Sequence, residues 1–190
     1  LLKTIDYIKS ISYNDVLSTD VDYNFNEMRY YWNDADYRKI KKIDRLTDAY
    51  LDLVGILPLF DEKQPWITVD KKFVSKYIIS RSFRYRDNDF PWKEIYEIVK
   101  NDVIFIGTIE EHNDFCTKFG YIKHYIVKDA LDMAQVINGA KCFIGNQSFP
   151  CSLAVALNVP ILQEYFDAAK DCIYIRDNFK TKENYKEIFI

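Results

Sequence analysis

From Phe73 onward, short apolar runs alternate with stretches of helical periodicity, and that alternation predicts the architecture. Phe73–Ser80, with Tyr77-Ile-Ile at its centre, predicts a strand, and Phe90–Lys100 a helix capped by Asp89. Val103-Ile-Phe-Ile106 is a second apolar strand ending at Gly107. Thr108-Ile-Glu-Glu111 then matches a capping box that opens a helix running to about Phe119. Ile122–Val127 reads as a strand, and Asp129 caps a helix that closes at Gly139. Cys142-Phe-Ile-Gly145 is a buried strand, Pro150–Leu157 a short helix with Pro in its first turn, and Ile161 opens another buried strand. A short Ile173-Tyr-Ile175 strand and a terminal helix from Lys182 complete the pattern. Strands apolar along their whole length and separated by helices imply a Rossmann-like parallel sheet with helices on both faces, an α/β fold.

Before Phe73 the pattern changes. Residues 1–38 are aromatic and polar without a clean period. Ile40, Ile43, Leu46, Tyr50, Leu51 and Val54 recur at helical spacing and stop at Gly55. The prolines of Leu57-Pro-Leu59 and Gln64-Pro-Trp66 mark a linker. Residues 1–65 are therefore read as part of a first domain with its linker, and 66–190 as the second, Rossmann-like domain. The chain begins at Leu1 rather than Met, and its first part reads as the end of a preceding unit, so an incomplete or excised chain is expected.

In an open parallel sheet, ligands bind at the carboxyl ends of the strands. Asn146, Gln147 and Ser148 lie between such an end and the amino end of the Pro150 helix, where unpaired N–H groups and the helix dipole attract anions. A phosphate or diphosphate is the expected guest. Ser80-Arg-Ser-Phe-Arg-Tyr-Arg86 follows the first strand of this sheet, so three arginines gather near the same edge. The guanidinium fork suits phosphate, with Arg81 the first choice, Arg84 the second, and Arg86 placed on the surface.

Charge and cysteine usage narrow the setting. A formal net charge of -3 with interspersed signs disfavours general nucleic-acid binding. Cys116, Cys142, Cys151 and Cys172 form no CxxC pair and read as reduced core thiols, which suggests a cytoplasmic compartment. No apolar run approaches the ~20 residues of a spanning helix. The chain carries neither GxxxxGK[ST] nor GxGxxG, and neither HExxH nor GxSxG, which argues against P-loop, nicotinamide, zincin and serine-hydrolase chemistry. With only His112 and His124 as histidines, on different elements, no metal is expected. His112 is read as a surface residue within its helix.

Three segments together resemble the GT-B glycosyltransferases, specifically the heptosyltransferase-like group, glycosyltransferase family 9. The first is Thr47-Asp-Ala-Tyr50 with Gly55-Ile56 and Lys63-Gln-Pro-Trp-Ile-Thr-Val69, similar to the passage from acceptor domain to donor domain. The second is Val103-Ile-Phe-Ile-Gly-Thr-Ile-Glu-Glu-His-Asn-Asp-Phe115. The third runs from Asp129 through Gly145-Asn-Gln-Ser-Phe-Pro150 to Ala154-Val-Ala-Leu-Asn-Val-Pro160. Where the family carries Asp-Thr/Ser-Gly-x-x-His, this chain has Gln147-Ser-Phe-Pro-Cys-Ser152. Ser148 is retained, and the Asp, Gly and His are replaced.

The resemblance implies metal-independent transfer of a hexosyl or heptosyl unit from a nucleotide-diphosphate sugar to an acceptor hydroxyl, with the nucleotide sugar as co-substrate and no resident cofactor. It implies donor contacts from Arg81 and Arg84, from the strand end and helix start Gly107, Thr108, Glu110 and Glu111, and from Asn146, Gln147 and Ser148. A carboxylate of Glu110 or Glu111 would meet the ribose hydroxyls. Glu111 has an equal claim as a capping-box residue; for Asn146, Gln147 and Ser148 the position at the strand end favours the site over a plain loop and helix cap. No segment matches the family's catalytic acid near the start of the acceptor domain. Two alternatives stand beside this reading: a non-catalytic assembly module of the same fold, in which aromatic residues such as Tyr30, Tyr31 and Trp32 pack at an interface, and a Rossmann-like nucleotide-sugar epimerase.

Overall fold

The computed structural model describes residues 64–166 and 178–190, together with Asp52. Apart from Asp52, the expected helix over Ile40–Val54 lies outside the described residues, as do the first linker proline, the aromatic N-terminal segment, Cys172 and the expected strand Ile173–Ile175.

The described residues form β1 (Tyr77–Ser80), α1 (Trp92–Val99), β2 (Val103–Phe105), α2 (Ile109–Phe119), β3 (Lys123–His124), α3 (Ala130–Asn138), β4 (Cys142–Asn146), α4 (Phe149–Ala156), β5 (Ile161–Glu164) and β6 (Phe179–Lys180), then a 3-10 turn at Tyr185–Phe189. The six strands are ordered β3-β2-β1-β4-β5-β6 and every pairing is parallel. The order reverses between β1 and β4. Chain leaving β1 turns to one side and chain leaving β4 to the other, which opens a crevice at their carboxyl ends.

The strands are apolar at successive positions because both faces are covered. Ile78, Ile104 and Phe143 face one core with Ala134 and Ile137 of α3 and Leu153 and Ala154 of α4. Tyr77, Ile79, Phe105 and Ile144 face the other with Trp92 and Ile95 of α1 and Phe115 of α2. Trp92, Phe115 and Phe119 pack as an aromatic cluster there, with centroid separations of 5.2, 4.9 and 6.0 Å. The chain docks onto this domain at Trp66, whose N–H donates to the Ala156 carbonyl at 2.7 Å.

Most elements form as expected, with four corrections. The helix expected from Phe90 starts at Trp92, because Pro91 biases Phe90 away from helical geometry; Asp89 caps nothing and its own N–H donates to Asp87 Oδ1 at 2.9 Å. Strand Phe73–Ser80 shortens to Tyr77–Ser80, and Ile122–Val127 to an edge pair at Lys123–His124. The terminal helix is only a 3-10 turn, since Asn184 first closes a side-chain turn by accepting from the Thr181 N–H at 2.8 Å. Strand β6 carries no apolar run and escapes a periodicity reading.

The expected capping box is present in full: Thr108 Oγ1 accepts from the Glu111 N–H at 3.2 Å, and Glu111 Oε2 from the Thr108 N–H at 2.9 Å. Asp129 caps α3 by accepting from the Asp132 N–H at 2.8 Å.

Candidate functional site

At the switch point, the loop after β1 and the loop after β4 are tied together by one side chain. Asn146, fully buried at the end of β4, accepts from the Ser82 N–H at 2.9 Å and donates to the carbonyls of Ser82 and Arg84 at 3.0 and 2.5 Å. Its neighbour Gly145 lies so close to β1 that a Cβ there would collide with the Ser80 carbonyl oxygen. Strand end, missing side chain and amide latch together fix where Arg84 leaves the backbone.

Beside this latch lies a cavity of about 180 Å3 whose lining includes Arg84, Gln147, Ser148, Phe149, Ser152 and Gln163. Ser148 sits at the N-cap of α4 in extended geometry but makes no capping bond; its hydroxyl donates to the Asn146 carbonyl at 3.0 Å. The first-turn N–H groups of α4 are thus not capped by that side chain, which suits an anion at the helix start. Gln147 is buried, and its Oε1 accepts from the Phe166 N–H at 2.8 Å, holding the chain beyond β5 against the β4 loop. Cys151 below them is buried, and burial pushes its thiol up to about 12, so it stays a neutral S–H.

The structure brings together Arg84, Gln147 and Ser148 at this cavity and places the remaining expected residues differently. Arg81 is buried, and its fork is held by Glu164 at the end of β5, Nε to Oε2 at 2.8 Å and Nη2 to Oε1 at 2.7 Å. Glu164 Oε1 also accepts from the Asp87 N–H at 3.0 Å. Glu111 is engaged in the capping box, while Glu110 is exposed on the first turn of α2. Gly107 has φ +147, and a Cβ would come within 2.8 Å of the Glu111 carboxylate, so the backbone there needs glycine. His124 Nε2 lies 3.0 Å from the Gly107 carbonyl and fixes the end of β2.

Two surface assignments are corrected. His112 is buried, with Nε2 2.8 Å from the Ile122 carbonyl and its ring stacked on His124 at 4.6 Å. Arg86 is half-buried and pairs with Asp114 at 2.8 Å. Both point inward because α2 packs its polar side against the loops that leave β1 and α2, a tertiary contact with no periodic signal.

Sequence reasoning missed Tyr85 and Gln163 among the lining residues. Gln163 is fully buried on β5, its Nε2 lies 3.6 Å from Cys151 Sγ, and its Oε1 has no hydrogen-bond partner among the described residues. A Gln within Ile161-Leu-Gln-Glu164, otherwise a core strand, was the available signal: a buried amide needs partners. Among the described residues, no group of three or more His, Cys, Asp and Glu side chains is placed to hold a metal ion. No helix among them is long and apolar enough to cross a membrane.

Fold and crevice together define a doubly wound, Rossmann-like α/β domain with an open crevice at its topological switch point. No protein-family model and no curated protein matches the chain. Three solved structures similar to it are glycosyltransferases. A glycosyl transferase family 9 protein from Veillonella parvula is 12% identical over 72% of this chain and 48% of its own, with a TM-score of 0.49. The E. coli heptosyltransferase WaaC with ADP-2-deoxy-2-fluoro heptose is 18% identical over 56% and 36%, at 0.42. The E. coli ADP-heptose lps heptosyltransferase II is 14% identical over 76% and 60%, at 0.45. The chain spans less than two thirds of each of them.

Proposed function

We propose that this chain supplies the donor side of a GT-B glycosyltransferase, binding a nucleotide-diphosphate sugar for metal-independent transfer to an acceptor hydroxyl. The observation that carries the reading is the switch-point cavity, where Arg84 and Ser148 meet over the uncapped first turn of α4. In this reading the cavity receives the diphosphate, and sugar and nucleoside extend along the open crevice toward the strand ends on either side. A base from the acceptor side deprotonates the acceptor hydroxyl. The charge on the leaving diphosphate is stabilised by the helix N–H groups and by Arg84, groups oriented before the reaction begins.

Arg84 rather than Arg81 is the side chain to test. Removing Arg81 would leave the buried Glu164 carboxylate without its charge partner, so Arg81→Ala is expected to disturb the fold as well as any site. Arg84 is exposed and bonded mainly through its backbone carbonyl, so its side chain is removable. Calorimetric titration with ADP, UDP, GDP and CDP, each also as a sugar conjugate, should show saturable binding of one base with a diphosphate preference. Arg84→Ala should weaken it by about tenfold, the loss of one charge-assisted contact.

A second reading has its own observation. Phe149, standing where the family pattern has Gly, is 55% exposed at the cavity rim, and Phe166 nearby is 42% exposed. An assembly module that has lost donor affinity would use such a rim as an interface. A folded chain that binds none of these nucleotides overturns the donor reading and makes this alternative the better account.

A further inference from the structure

Three arginines follow β1, and the fold treats one of them differently. Arg81 is paired with Glu164 and Arg86 with Asp114, so their charges are met inside the domain. The guanidinium of Arg84 has neither a carboxylate nor a hydrogen-bond acceptor among the described residues. What holds it is a ring: Arg84 Cζ lies over the Tyr85 side chain, 5.5 Å from the ring centroid. A carboxylate would position Arg84 and cancel its charge. An aromatic face positions it and leaves both charge and N–H donors available. Both side chains line the cavity at the start of α4.

Tyr85 holds this place at a cost. Its φ is +54, in the left-handed region where a bulky side chain is an outlier and glycine meets no penalty. The chain on either side leaves it little choice. The Arg84 carbonyl accepts from Asn146 Nδ2 at 2.5 Å and from Ser82 Oγ at 3.3 Å, which fixes the peptide entering Tyr85. Arg86 Nε donates to the Ser82 carbonyl at 2.8 Å and the Asp87 N–H to Glu164 Oε1 at 3.0 Å, which fixes the chain leaving it. The ring leans on Phe166, with centroids 6.5 Å apart, and Gln147 anchors the Phe166 N–H. The Tyr85 hydroxyl has no partner among the described residues, so its service lies in the ring. A turn that needed only this backbone shape would be built with glycine; strain kept together with an aromatic side chain points to a use for that side chain.

We infer that Tyr85 is a positioning residue: its strained backbone sets the ring against Arg84, so that the guanidinium stands at the cavity with its charge uncancelled, ready for the donor diphosphate. This role rests on the donor reading and adds to it the residue that prepares Arg84. A long side chain free in solvent loses rotamer freedom when it closes on a phosphate. One already held against a ring loses less, and the difference appears as affinity.

The test is calorimetric titration of the full chain with ADP, UDP, GDP and CDP, together with the thermal midpoint of each variant. Tyr85→Gly removes the ring and relieves the backbone, so its midpoint should hold or rise. Its affinity for the diphosphate that wild type binds should fall by about threefold to fivefold, the worth of an exposed cation–π contact. Tyr85→Phe, which keeps the ring, should restore that affinity. Added to Arg84→Ala, Tyr85→Gly should weaken binding no further, because the ring acts through the guanidinium. A lowered midpoint or failure to fold in Tyr85→Gly would make Tyr85 a packing residue and overturn the inference. So would a loss in Tyr85→Phe equal to that in Tyr85→Gly, or a further loss in the double variant. Unchanged affinity in Tyr85→Gly strikes this inference alone. A folded wild-type chain that binds none of the four removes the donor reading and the role of Tyr85 with it.

Discussion

Arg81 and Glu164 join the carboxyl ends of β1 and β5 across the intervening β4, through two parallel charge-assisted hydrogen bonds buried from solvent. The pair closes the floor of the crevice and, through the Asp87 N–H, holds the end of the loop that also carries Arg84. Breaking it by Glu164→Ala strands a buried guanidinium and should destabilise the domain by about 3–5 kcal/mol in urea unfolding. The double variant Arg81→Met, Glu164→Leu should recover most of that loss. A single variant within about 1 kcal/mol of wild type would mean the pair does not organise the strand ends.

The Asn146 latch makes a different prediction. Asn146→Ala removes one acceptor and two donors that tie the loop after β1 to the end of β4. Each buried bond is worth about 1 kcal/mol net. The variant should therefore unfold about 2–3 kcal/mol more easily, and limited proteolysis should cut within residues 82–86 before the rest of the domain. Resistance of that loop to cleavage would assign its order to Arg81 and Glu164 alone.

Gln163 should behave in the opposite way. Replacing it with Met removes a buried carbonyl that has no partner among the described residues and keeps much of its volume. Its thermal midpoint should stay level or rise, because an unsatisfied buried acceptor costs about 1–3 kcal/mol. Under the proposed function, donor affinity should fall in the same variant. A clear loss of stability would show that the amide serves packing and the thiol contact with Cys151 rather than the cavity.

Lys72, Tyr125 and Asp132 give the fold a pH window. Lys72 Nζ donates to Asp132 Oδ1 at 2.5 Å and to Tyr125 OH at 2.6 Å, and Asp132 Oδ2 accepts from the Lys128 N–H at 3.1 Å. The Lys72 hydrogen bond, opposed by burial and helped by the Lys128 N–H, holds the Asp132 carboxyl below its ordinary value. The hydrogen bonds to Asp132 and Tyr125 raise the Lys72 ammonium. A depressed carboxylate stabilises the fold above its unfolded pKa of about 3.9, and that contribution is lost as pH falls through the folded value. A raised ammonium contributes fully below its unfolded value of about 10.4, and that contribution is lost as pH climbs through the folded value. The cluster's contribution should form a plateau between the two. Comparing urea midpoints of wild type and Asp132→Asn across pH checks this: the gap between them should be widest near neutrality and shrink in acid. A gap independent of pH down to the acid range would remove the carboxylate charge from the account.

Local chemistry determined more of the fold than of the site. The period of the apolar positions, the Thr108–Glu111 capping box, the Asp129 cap and the proline in the first turn of α4 all act within a few residues of themselves, so each was legible in the chain. Strands apolar along their whole length also announced a sheet covered on both faces. What side chains do at the carboxyl edge was not legible, because their partners lie far off in sequence. Arg81 reads as a phosphate ligand until β5 sets Glu164 against it 83 residues later. Asn146 reads as a loop residue until β1 presents the Ser82 and Arg84 carbonyls to it. Only the parallel order β3-β2-β1-β4-β5-β6 brings those groups within hydrogen-bonding distance, and burial then makes leaving any one of them unpaired costly.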